Sequence, residues 1–145
     1  MSYYKIDKDL FDKITEHINE KLDVSIDFLE CLKLGNAKYF PPDKDDETGI
    51  IVVACRENNN RNRNFDNELA LLLHEVGHFL QYKEKDDKTD LEKEENAWER
   101  GWKYMLKIKR EKEMHIDIGL FKNKYEEVKK FCLESYKKKY STHEK

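Results

Sequence analysis

Residues 69–82, LALLLHEVGHFLQY, are strongly apolar, yet two histidines and a glutamate lie in their middle. Leu69, Leu72, Leu73, Val76, Phe79 and Leu80 recur at intervals of three and four, which predicts a helix. The three polar residues thus sit on a strongly apolar, buried helix. On a helix the two histidines lie one turn apart on nearly the same face, and both imidazoles can reach one ion. Glu75 projects about 100° round from His74, close enough to hold a water beside that ion without being a ligand. The residues spell H-E-x-x-H. Its two neutral nitrogens suit a borderline-soft ion such as Zn²⁺, and its carboxylate can act as the base.

The neighbourhood of this segment supports the pattern. Ile50-Ile51-Val52-Val53-Ala54-Cys55 is uninterrupted and rich in β-branched residues, and reads as a strand. An Asn- and Arg-rich loop is expected at 57–64, after which Asp66 can cap the helix with Glu68 in its first turn. Downstream, Thr89-Asp90-Leu91-Glu92 has the form of a capping box and opens a second helix to about residue 109. A first helix is expected at 7–21, with Leu10, Phe11, Ile14, Ile18 and Leu22 as its core face and His17 on its flank. Residues 24–34 fit either a strand or a short helix, with the helix slightly preferred. Ala37-Lys38-Tyr39-Phe40 reads as a short strand stopped by Pro41-Pro42, and 43–49 as an exposed loop. A break is expected at 114–118, then a last helix at about 119–138 with Phe121, Tyr125, Val128 and Cys132 inward. A basic tail from Lys137 is expected to fray into solvent. The expected class is α+β, mostly helical, with about three strands preceding the H-E-x-x-H helix.

A catalytic zinc site usually has three protein ligands and an open position. On the second helix Leu91, Trp98, Trp102, Met105 and Leu106 define the expected buried side, and Glu94 falls between Leu91 and Trp98. A carboxylate there is costly to bury unless a cation offsets it. Glu94 is the expected third ligand, with Glu95 in reserve because a modest roll of the helix would exchange them. Glu92 and Glu99 point outward.

With His74-Glu75-Val76-Gly77-His78 followed by Glu94-Glu95-Asn96-Ala97, the chain resembles the ImmA/IrrE-type metallopeptidases, small gluzincin-like proteins common in bacteria, phages and mobile elements. Their pattern is H-E-x-G-H, then E-x-x-A, whose Glu is the third zinc ligand; the resemblance favours Glu94. It covers about residues 49–106 and implies a zincin-like metallopeptidase domain cutting a protein substrate, such as a regulator or repressor. Trp98 departs from the pattern, since gluzincins often carry Asp or Asn there. The group that orients a histidine is therefore unidentified.

The expected chemistry is hydrolysis of a peptide bond by zinc-activated water, with Glu75 as general base. An extended substrate would add to an edge of the upstream strand, and Tyr104 or His115 would steady the oxyanion. Gly77 is expected to allow another element close to the helix. The rival readings are a zinc-stabilised module that binds a regulator without cutting it, and an accidental motif in a helical interaction protein.

Composition excludes other classes. One domain of 145 residues can bury a single core. Its net charge of −3, with 41% charged residues, is unlike a nucleic-acid binder. No apolar run approaches the roughly 18 residues of a membrane span, and the first residues lack the apolar core of a secretory signal. Cys31, Cys55 and Cys132 are odd in number and scattered, which fits reduced, buried thiols in the cytoplasm better than disulfides.

Overall fold

The computed structural model describes residues 6, 8–30, 37–41, 49–55, 65–84, 90–112 and 118–143. Among them are four helices and a three-stranded mixed sheet, an α+β architecture. Among the described residues no helix is long and apolar enough to cross a membrane. Helix α1 (Lys8–Leu22) buries Phe11, Ile14 and Ile18 as the spacing predicts. It also buries His17, which was expected on the flank, with Glu111 of the third helix 3.6 Å from that ring. The helix stops at Asp23, whose φ of 51° turns the chain. The Asn19 amide donates to the Val24 carbonyl and braces this turn.

Strand β1 (Ser25–Glu30) replaces the short helix preferred at 24–34. It pairs in parallel with β3 (Ile50–Cys55), Ile26 opposite Ile51 and Phe28 opposite Val53. Strand β2 (Ala37–Phe40) pairs antiparallel with the other side of β3. The order is β1-β3-β2. The strand expected to offer an edge is therefore the middle one, and β1 and β2 are the edges.

Helix α2 (Phe65–Glu84) lies at the centre, in contact with both β2 and β3 and with all the other helices. Residues 69–77 are buried without a break, the burial expected of a helix apolar on every side. Asp66 stands inside its first turn, where its carboxylate accepts the Ile6 backbone N–H at 2.9 Å and ties the chain's start to α2. Helices α3 (Asp90–Lys112) and α4 (Ile118–His143) complete the packing. Phe121, Tyr125 and Val128 of α4 are buried as expected, and Cys132 is half-buried. The helix continues through His143, beyond the residue at which the tail was expected to fray. The expected loop at 57–64, the Thr89 cap, His115 and the side chains of Cys31 and Cys55 lie outside the described residues. So does most of the loop at 43–49 and of the break at 114–118.

Candidate metal centre

The centre forms where α2 and α3, antiparallel to each other, approach most closely. A Cβ on Gly77 would lie 1.9 Å from the Ala97 carbonyl oxygen, and one on Gly101 would lie 2.2 Å from that of Leu73. Both glycines are needed for this approach, although glycine inside a helix costs about 1 kcal/mol relative to alanine. The expected role of Gly77 is met, and Gly101 supplies a second contact of the same kind.

At this interface His74 Nε2 lies 2.8 Å from Glu94 Oε2, and His78 Nε2 lies 3.4 Å from Glu94 Oε1. Glu95 is exposed to solvent, so Glu94 is the acid that meets the histidines. The buried face of α3 explains this. It comprises Ala97, Trp98, Gly101, Tyr104, Met105 and Ile108, and Glu94 continues the same stripe. Leu91 and Leu106, expected inward, are exposed. The close crossing takes the small residues Ala97 and Gly101 on its inner face and rolls those leucines out.

Glu75 is buried beside the histidines, its Oε1 3.5 Å from His74 Nδ1. The backbone N–H of Tyr39 in β2 donates to its carboxylate. Burial raises the Glu75 pKa above the usual carboxylate range and the Glu94 charge adds to this, while the histidines and the Tyr39 N–H oppose it. Burial would likewise raise Glu94, but hydrogen bonds from His74 and His78 and their charges bring it down to about 2. His78 is raised: burial works against this, but the hydrogen bond to Glu94 and the nearby carboxylate charges outweigh it.

Side-chain atoms of His74, Glu75 and His78 lie within 4.8 Å of one another, so either glutamate could complete a ligand set with the two rings. Glu94 fits better, because its oxygens face Nε2 of both. Glu75 approaches His74 at Nδ1 and is engaged by Tyr39. Two imidazole nitrogens and one carboxylate form a donor set suited to zinc.

Each ring is held by a residue that the pattern does not name. Gln81 Nε2 donates to the Lys93 carbonyl and to Asn96 Oδ1, which fixes the amide with Oε1 towards His78 Nδ1 at 3.0 Å. Nδ1 then carries a proton, so when the ring is neutral and takes up a metal it is Nε2 that presents the lone pair to the centre. Arg100 Nε donates to the same Asn96 oxygen. His74 stacks on Trp98 with centroids 4.2 Å apart and planes 5° from parallel. Tyr125 packs edge-on against that indole and donates its hydroxyl to the Trp98 carbonyl. Trp98 thus holds the His74 ring with an aromatic face. Gln81 could have been found from its spacing, three residues after His78 on the same helix. The Tyr39 N–H leaves no mark in sequence.

A cleft of about 560 Å³ opens in front of Glu75, His78 and Glu94, with β2 on one side and α2 and α3 on the other. Tyr104, weighed as an oxyanion donor, is buried away from it, and burial, with the Glu111 charge, pushes its phenol up to about 12. The chain matches no family model, no curated protein and no solved structure.

Proposed function

We propose that this protein is a zinc-dependent metallopeptidase of zincin-like arrangement, akin to the ImmA/IrrE-type enzymes, acting on a protein substrate in the cytoplasm. The observation that carries this reading is the convergence of His74 Nε2 and His78 Nε2 on the Glu94 carboxylate, with Glu75 buried alongside. Zinc held by His74, His78 and Glu94 would supply a Lewis acid for water and for a substrate carbonyl.

The remaining work falls to the chain's own groups. Gln81 keeps the His78 lone pair turned towards the centre, and Trp98 keeps the His74 ring in plane. Glu75, raised by burial and therefore a stronger base than an exposed carboxylate, can take a proton from water and return it to the leaving amine. The Tyr39 N–H holds that carboxyl at the mouth of the cleft. The edge strand β2 runs along the cleft and offers backbone groups to an extended chain.

Two measurements test the reading together: the zinc content of purified protein, and proteomics of cells making wild-type or Glu75→Gln protein. The expected result is one zinc per chain in both, with one cleavage product found only with the wild type. Zinc retained, no product and an unchanged biological effect of Glu75→Gln would indicate a zinc-stabilised binding module. Purified protein without stoichiometric zinc, and with melting unaffected by chelator, would sink both.

A further inference from the structure

The cleft in front of the centre carries two lysines, Lys38 from β2 and Lys93 from α3. Among the described residues, the acids that line it are Glu75 and Glu94. Neither acid is available to a lysine: Glu94 faces both histidines, and Glu75 is engaged by the Tyr39 N–H. Neither lysine forms an ion pair with a carboxylate among the described residues. Lys38 Nζ instead lies 5.2 Å from the centre of the Phe40 ring, and the Lys93 backbone is anchored through its carbonyl to Gln81. Unpaired cations at the rim of a cleft draw anionic partners towards it. A divalent ion at the centre would offset the two acids, leaving the lysines to set the sign of the cleft.

The same cleft has an aromatic side. Tyr39 and Tyr82 meet edge-on at 6.0 Å, with Phe79 packed behind Tyr39 at 5.7 Å. Pro41 extends this wall, and Tyr82 is 48% exposed at the cleft. A tyrosine supported from behind and open in front can bury apolar area against a ligand at small entropic cost.

We propose that the cleft binds an extended acidic polypeptide segment, its carboxylates between Lys38 and Lys93 and a neighbouring apolar side chain against Tyr39 and Tyr82. This rests on the reading of the cleft as a metallopeptidase substrate site and narrows the substrate to acidic stretches interrupted by a large apolar residue.

The test is fluorescence anisotropy with zinc-loaded Glu75→Gln protein, so that binding is read without turnover. The probes are a fluorescein-labelled Gly/Ser peptide bearing two Asp around one Phe, and the same peptide with Lys in place of Asp. The acidic peptide should bind about ten-fold more tightly at low salt, the scale of two exposed ion pairs. Lys38→Glu with Lys93→Glu should abolish or reverse that preference. Tyr82→Ala should weaken the acidic peptide several-fold and leave the charge preference in place. Equal binding of the two peptides, no binding of either, or an unaltered preference in the double variant would overturn the proposal. Wild-type protein that cuts peptides regardless of charge would leave the metallopeptidase reading standing and remove this one. Charge-selective binding with no cutting would do the reverse.

Discussion

His17 and His74 are both buried histidines facing a glutamate of α3, yet their surroundings differ in kind. His17 Nε2 lies 3.6 Å from a well-exposed Glu111, a loose pair at the margin of the core. His74 Nε2 lies 2.8 Å from Glu94, which also reaches His78, and its ring is clamped flat against Trp98. A buried histidine with an acid nearby is ordinary packing. A site needs several donors converging on one point, with tautomer and ring plane held by further groups.

The largest effect that could break this contrast is on metal binding. His74→Ala, His78→Ala or Glu94→Ala should each weaken zinc binding by more than about a hundred-fold, the upper end of what outer partners alone contribute. His17→Ala and Glu111→Ala should retain zinc at the wild-type level when titrated against a competing chelator. An equal loss in the His17 variant would erase the distinction. Next comes the scaffold beneath the site. Gly77→Ala places a methyl group on the Ala97 carbonyl and should cost about 3 kcal/mol in urea denaturation, at the upper end for overpacking. It should lower zinc affinity as well, because Glu94 rides on the helix that is displaced.

A smaller effect is expected in metal-free protein at acid pH. The Glu94 carboxyl is held at about 2, below its ordinary value of 4.5. Its contribution to stability is present above pH 4.5 and is lost as the pH falls through about 2. Wild-type urea midpoints should therefore drop more steeply across that window than those of Glu94→Gln. Parallel curves would mean that the carboxylate is not held by the histidines.

The parts of this arrangement visible in sequence are those with long or repeated patterns. Residues 69–82 and 50–55 could be placed because their apolar spacing leaves few alternatives, and with them came His74, Glu75 and His78. Residues 24–34 could not, since Ile26 and Phe28 alternate like a strand while Phe28, Leu29 and Leu32 suit a helix. Pairing with β3, a contact with a distant segment, settles that competition. The surroundings of His17 are also tertiary, since Glu111, far off in sequence, comes to face its ring. On α3 the leucines misled, because Leu91 and Leu106 outweigh Ala97 and Gly101 on any hydrophobicity scale. Close helix packing reverses that weighting. Gln81 shows only in its spacing from His78, and the Tyr39 amide acts through geometry that no motif records.

The stack of His74 on Trp98 has an optical consequence. An indole in face contact with another ring reports that ring's electronic state in its emission, and a metal that takes up the His74 lone pair alters that state. Tryptophan fluorescence should therefore change as the centre fills, so the protein carries its own unlabelled gauge of occupancy.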